Sequence, residues 1–252
     1  MRGWWQEITG LVLPVDCAGC GRSRTELCER CRGLLGGAAT ARRVRPSPEP
    51  PGLPPVYAAG RYGDEVRAVV LAHKERGALG LARPLGAALA GAVARAVGLG
   101  HGLPAPAPGG PGAGRGPGPH PGPVRIGPLL LVPVPSSRRA VAQRGHDATA
   151  RIARAAAREL RRGGVPARAA PVLRQRRPVA DQSALGAAGR LANLSGAVEA
   201  AGGAAVLLTA APVVLVDDLM TTGASLTVAA QAVTVAGGRV AGAAVVAGPH
   251  DP

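Results

Sequence analysis

The apolar positions of this chain fall into short runs separated by helical repeats. Leu129–Val134, Pro212–Val216 and Val240–Val246 are almost wholly apolar, and Val56–Tyr62 is strand-like as well. Runs of this length, without the in–out alternation of a half-exposed strand, predict strands covered on both faces. Between them the period lengthens. After Asp147, a residue suited to cap a helix, Ala148, Ile152, Ala156 and Leu160 recur at helical spacing, and the pattern stops at Gly163-Gly164. A second such stripe, Leu226, Ala229 and Val233, starts from about Ala224 and ends at Gly237-Gly238. Asp64–His73 predicts a further helix, and another begins near Pro84, a residue tolerated in a first helical turn. Strands alternating with helices imply right-handed crossovers, hence an α/β fold with a parallel sheet and helices on both faces. No internal repeat is visible.

Two stretches lack any such pattern. Residues 101–127 are mostly Gly, Pro and Ala and read as a disordered insertion that cannot bury a core. Residues 36–55, rich in Pro, Arg and Gly, read as a connector. The predicted organisation is therefore a small unit over 1–35, the connector 36–55, and an α/β domain over 56–252 that carries the insertion.

Composition sharpens this picture. Of 252 residues, 46% are hydrophobic, yet there is no Phe, and the only large aromatics are Trp4, Trp5, Tyr57 and Tyr62. The core must be built from Val, Leu and Ala. The formal charge is +15, with Lys74 the single lysine among 30 Lys and Arg residues. That balance favours anionic partners without choosing among them. No apolar run approaches the ~20 residues needed to cross a bilayer. Ile8–Val15 is short, contains Gly10 and Pro14, and is preceded only by Arg2, so neither a membrane span nor a signal peptide is expected.

All four cysteines lie in two knuckles, Cys17-Ala-Gly-Cys20 and Cys28-Glu-Arg-Cys31, separated by seven residues. Two C-x-x-C pairs at this spacing predict a tetrahedral four-thiolate zinc site, with Gly19 and Gly21 easing the turn. With no ligand position left open, the zinc is structural, and so small a lobe depends on it for folding. Clustered cysteines of this kind point to a metal in a reducing compartment, and the protein is read as cytoplasmic.

The segment richest in chemistry is Val213-Val-Leu-Val-Asp217-Asp218-Leu-Met-Thr221-Thr222-Gly223-Ala224-Ser225. Asp217 and Asp218 stand at the carboxyl end of a buried strand, the edge where open α/β sheets bind ligands. The Thr-Thr-Gly turn then opens a helix, whose unpaired N–H groups and positive dipole end attract phosphate. Thr221, Thr222 and Ser225 add hydroxyl donors, and Gly223 allows close approach of the backbone. The paired carboxylates suit the 2′- and 3′-hydroxyls of a ribose, or a Mg²⁺ ion nearby. Capping alone needs one such residue, whereas this junction has six.

This segment resembles the signature loop of type I phosphoribosyltransferases, which bind phosphoribosyl diphosphate (PRPP). The chain as a whole is similar to the ComF-type, competence-associated phosphoribosyltransferase-domain family. The matching blocks are the four-cysteine finger, Tyr62…His73-Lys74-Glu-Arg-Gly77, Leu131-Val-Pro-Val-Pro135, Gln143-Arg144-Gly145-His146, Gln182…Arg190-Leu-Ala-Asn193-Leu and the loop itself. The resemblance implies a phosphoribosyltransferase-like sheet and a PRPP or nucleotide 5-phosphate site. Thr221, Thr222, Gly223, Ala224 and Ser225 would take the 5-phosphate, Asp217 and Asp218 the ribose and Mg²⁺. Pro135, Ser136, Arg144 and Lys74 would take the diphosphate. In the family the block at Arg144 is of the Arg-Gly-Phe-Asn type, and here His146 and Asp147 stand in its last two places.

The resemblance leaves two functions open: transfer of a phosphoribosyl group to a nitrogen nucleophile, or nucleotide and single-stranded DNA association without turnover in a DNA-uptake machinery. Neither a general base nor an acceptor can be named. Residues 136–177 carry twelve Arg against Asp147 and Glu159. Arg151, Arg154, Arg158 and Arg162 form one helix face, which is either solvated or in contact with nucleic acid phosphates. The stretch has no aromatic residue to stack on a base.

Overall fold

The computed structural model describes residues 16–99, 127–176 and 196–249. A six-stranded sheet has the order β1-β2-β8-β7-β3-β4. Its strands are β1 (Arg42–Val44), β2 (Val56–Arg61), β3 (Leu129–Pro133), β4 (Ala167–Ala169), β7 (Val213–Leu219) and β8 (Val240–Gly248). All neighbours are parallel except β1, which runs antiparallel to β2. The short strands β5 (Leu173–Gln175) and β6 (Val198–Ala200) form a separate antiparallel pair. The helices are α1 (Glu29–Leu34), α2 (Asp64–Glu75), α3 (Ala82–Ala96), α4 (Arg138–Arg144), α5 (Ala148–Arg162), α6 (Ala204–Ala210) and α7 (Ala224–Val235). The fold is thus α/β, with a mostly parallel mixed sheet flanked by helices.

Strand parity assigns the two faces. Leu129 and Leu131 on β3, Val214 and Val216 on β7, and Ala244 and Val246 on β8 share one buried cluster with α2, α3 and α5. The intervening residues Leu130, Val132, Val213, Leu215, Ala243 and Val245 pack instead against α6 and α7. Both faces are covered, so the central strands show no in–out alternation in sequence. The predicted stripe Ala148, Ile152, Ala156 and Leu160 is buried on α5, as is Leu226, Ala229 and Val233 on α7.

Close approach replaces bulk. A Cβ added at Gly86 of α3 would lie 2.4 Å from the Cβ of Ala155 on α5, and one at Gly91 would lie 2.2 Å from the Ala38 nitrogen. These positions accept the loss of helix propensity that Gly brings because the helices meet there almost backbone to backbone.

Several details differ from the sequence reading. The connector carries β1, an edge strand of three residues with two arginines, too short and too charged to register as an apolar run. A short helix, α4, precedes the predicted one: Arg144 ends it, Gly145 follows in the left-handed conformation (φ 72°), and Asp147 caps α5 as expected. Residues 101–126 of the insertion lie outside the described residues. Among the described residues no single helix is long and apolar enough to cross a membrane; α2 and the segment through α3 pass that test only jointly, and they are bent by 118°.

Leu131 is fully buried at the centre of β3. Leu131→Ala is expected to cost about 2–5 kcal/mol, by lost transfer energy and the cavity left behind. Urea denaturation measures it, and a loss below ~1 kcal/mol would show that the sheet centre collapses around the gap.

Candidate functional site

The junction from β7 to α7 is built by its sequence. Val213–Val216 are fully buried, and the strand continues through Asp217 and Asp218 to Leu219, with Asp217 opposite Val245 of β8. Met220 is buried and donates its N–H to Ala247, which closes the strand end. The chain then turns through exposed Thr221 and half-buried Thr222 to Gly223. Gly223 has φ +74° and serves as the N-cap of α7 with no side-chain cap. A Cβ there would also press on Leu53 at 3.0 Å, so glycine is demanded twice. Thr227 pins the turn, its N–H at 3.0 Å and its hydroxyl at 3.1 Å both donating to the Gly223 carbonyl.

What remains is a set of free donors. Among the described residues no acceptor pairs with the N–H groups of residues 221–226, and the hydroxyls of Thr221, Thr222 and Ser225 have no partner. Unpaired N–H groups at the positive end of a twelve-residue helix form an anion-binding geometry.

Strand parity separates the two carboxylates. Asp218 is directed to the α2 face, where its Oδ2 meets Lys74 Nζ at 2.7 Å; Asp218 is only 4% exposed. Asp217 takes the opposite parity, its Oδ1 accepting the Asp218 N–H at 2.8 Å. Asp217 is half-buried; loss of solvation, followed by repulsion from Asp218, holds its carboxyl above the usual carboxylate range. Burial alone would depress the Lys74 ammonium, but Asp218 and then Asp217 outweigh it and raise it. The lone lysine of the chain thus places its compact ammonium against a buried carboxylate.

The block around Arg144 braces this corner. Arg144 donates from Nε to the Ala140 carbonyl at 3.0 Å and from Nη1 to Glu75, next to Lys74, at 3.1 Å. His146 lies within hydrogen-bond distance of the His73 carbonyl through Nε2 (3.2 Å) and of the Arg144 carbonyl through Nδ1 (3.0 Å). Its ring meets the His73 ring edge to face, centroids 5.7 Å apart. Asp147 accepts the Ala150 N–H at 3.0 Å and caps α5. Here His146 supplies the ring contact and Asp147 the cap. On the β3 side, Pro135 is half-buried with its carbonyl accepting from Gln175, Ser136 is half-buried, and Ser137 caps α4 through the Ala140 N–H.

The four cysteines form a second cluster. Their sulfurs all lie within 4.8 Å of one another and could hold a metal ion. Gly21 turns the first knuckle with φ +75°, and a Cβ at Gly19 would come within 2.8 Å of the Cys31 sulfur. Burial works against a thiolate at Cys17, but N–H groups of Cys28, Cys20 and Gly19 outweigh it and bring its pKa down to about 6. Burial, then the neighbouring Cys20, Cys28 and Cys17, pushes Cys31 well above the usual thiol range. A cation held by such a cluster would offset the repulsion by which one thiolate suppresses the next. The lobe is continuous with the main core: Leu27, Cys31 and Leu35 share the cluster of Val66 and Val69 on α2, and Arg30 bridges to Glu65 at 2.7 Å.

The structure brings Lys74, Asp217, Asp218 and the Thr221–Ser225 loop to one sheet edge, with Arg144 behind Lys74. Sequence reasoning missed the connector residues Pro46 and Leu53, which stand over Gly223. They lie in a Pro-rich run with no periodicity to mark them. It also missed Glu75 as the partner of Arg144. The block Gln182…Arg190-Leu-Ala-Asn193 lies outside the described residues. No protein-family model matches the chain, and no curated protein matches it.

Asp217 supplies a pH test. Because its folded-state pKa is raised, its carboxyl favours the fold below the ordinary carboxylate range and loses that benefit as pH rises through the raised value. Asp217→Asn removes the penalty, so the variant melts higher than the parent at pH 7 and the gain shrinks towards pH 3.5, as thermal melts at the two values would register. For the cysteine cluster, Cys31→Ser is expected to abolish stoichiometric metal content by elemental analysis and to lower the melting temperature; unchanged metal content would remove Cys31 from the ligand set.

Proposed function

We propose that the protein binds PRPP or a nucleotide 5-phosphate at the Asp217–Ser225 junction and transfers a phosphoribosyl group, in the manner of the ComF-type phosphoribosyltransferase-domain proteins that its motifs resemble. The observation carrying this reading is the β7–α7 junction: unpaired N–H groups and three unpaired hydroxyls follow directly upon two carboxylates at the carboxyl edge of a parallel strand. Phosphate beside ribose is the ligand chemistry that such a pairing recognises.

In this reading Thr221, Thr222, Ser225 and the N–H groups from Gly223 onward hold the 5-phosphate. The carboxylates of Asp217 and Asp218 accept from the ribose hydroxyls. Pro135 and Ser136 border the diphosphate. Lys74 exchanges its contact with Asp218 for a diphosphate oxygen as the ligand enters, and Arg144, committed to Ala140 and Glu75, fixes the end of α2 and adds positive charge. Cleavage of the bond from the anomeric carbon to the diphosphate oxygen sends the electron pair to the diphosphate. The ribose then carries oxocarbenium-like charge, and a nitrogen nucleophile closes on the same carbon.

Mg²⁺ fits the hard oxygen of Asp217, whose ionisation a nearby cation would favour, and when bound with the substrate it would neutralise diphosphate charge. Zinc fits the four cysteines as a structural ion. Zinc–sulfur bonds of about 2.3 Å give tetrahedral edges of about 3.8 Å, and the Cys20 and Cys28 sulfurs are 3.6 Å apart.

Calorimetric titration of PRPP with Mg²⁺ into the zinc-replete protein tests the reading. Binding is expected, and it should weaken at least tenfold in Asp217→Asn/Asp218→Asn and in Thr222→Val. Diphosphate release on adding nucleobases would mark a transferase, and binding without release would mark a nucleotide-binding protein. A folded parent protein that takes up no PRPP would overturn the assignment of the loop.

A further inference from the structure

A concave basic surface lies where α3 and α5 cross, and none of its lining residues belongs to the β7–α7 junction. The crossing is tight because Gly86 and Ala155 touch, so the longer side chains on either side rise as walls around a small-residue floor. The result is a groove of about 510 Å³. Its walls carry Arg83 from the first turn of α3 and Arg151, Arg154, Arg158 and Arg162 from α5, with Glu159 the one carboxylate. Glu159 is taken up by Arg162. Among the described residues Arg83, Arg151, Arg154 and Arg158 have no carboxylate partner.

Two features distinguish this from a solvated helix face. The cations come from two elements and converge on a concavity, whereas an exposed stripe would diverge into water. Arg83 also sits at the positive end of the α3 dipole, where a cation is disfavoured unless an anion lies between. The volume falls in the range of small-molecule sites, and no aromatic residue lines it, so a nucleobase has nothing to stack on. The geometry points to a binding site for a chain of linked phosphates, either inorganic polyphosphate or the phosphate tail of a nucleotide, held by the guanidinium forks of Arg83, Arg151, Arg154 and Arg158. Guanidinium groups match phosphate oxygens in bidentate fashion and stay charged at every physiological pH.

Sodium tripolyphosphate, titrated calorimetrically into the full-length zinc-replete protein at 50 and 300 mM NaCl, tests the proposal. Binding is expected at low salt and should weaken at high salt, since the charges are exposed. Arg154→Glu/Arg158→Glu should reduce affinity at least tenfold while leaving PRPP affinity within twofold. Arg154→Gln/Arg158→Gln, which keeps helix propensity, should lose affinity in the same direction if charge reversal compromises folding. Asp217→Asn/Asp218→Asn should bind tripolyphosphate as the parent does, which separates this site from the loop whether or not the loop binds PRPP. ATP as a second ligand sorts the two sources: equal affinity assigns the phosphate chain alone, and tighter ATP binding that the same arginines control assigns a nucleotide. The proposal is overturned by absence of tripolyphosphate binding, by unchanged affinity in both arginine variants, or by loss in the Asp217/Asp218 variant instead. A single-stranded oligonucleotide of matched charge that binds more tightly and depends on the same arginines would also overturn it, giving the groove to nucleic acid.

Discussion

A core with no phenylalanine depends on backbone proximity for its density. The largest fully buried side chains are leucines, Ile152 and His73, and between them the sheet and helices are filled by Val and Ala. Small side chains bury little area each, so the structure gains by bringing elements closer, and the glycines at 86 and 91 permit it. The placement of α3 against α5 and against residues 37–38 follows from those contacts. So does the shape of the surface: where helices meet at glycine and alanine, the flanking arginines are left bordering a groove.

At the carboxyl end of the central strand β7, parity and electrostatics divide two adjacent aspartates between different tasks. Asp218 shares a face with Lys74 and pairs with it, whereas half-buried Asp217 makes no ion pair among the described residues. The buried Lys74–Asp218 pair repays its desolvation only in good geometry, and the Asp217 carboxyl would ionise more readily with a cation or hydroxyl donors beside it. The corner that positions Lys74 is reinforced from three directions, by Arg144 on Glu75, by the two histidine rings and by the Asp147 cap. The four-cysteine lobe rests on the same helix, α2, through Arg30 and Glu65 and through the shared apolar cluster. One helix therefore links the candidate metal centre to the candidate ligand edge.

The central strands and the helices α2, α3, α5 and α7 were legible in the sequence because their signal is local: an apolar run, a 3.6-residue stripe, a capping Asp, a pair of glycines. The two cysteine knuckles and the Asp-Asp-Leu-Met-Thr-Thr-Gly turn were legible for the same reason, since the chemistry lies within a few consecutive residues. β1, β4, β5 and β6, each three residues long, were not, because a strand of that length is decided by its neighbour in the sheet rather than by its own pattern.

Tertiary structure alone decided which groups meet. Lys74 and Asp218 are far apart in the chain and come to 2.7 Å because α2 covers the face to which Asp218 points. Arg83 joins the α5 arginines because Gly86 lets two helices touch, and Leu53 stands over Gly223 because the connector folds back across the loop. Sequence spacing carries no record of such contacts, since they depend on which faces pack and how closely. The residues by themselves determined the strand–turn–helix junction and the thiolate set, and the packing determined the charge each of them faces.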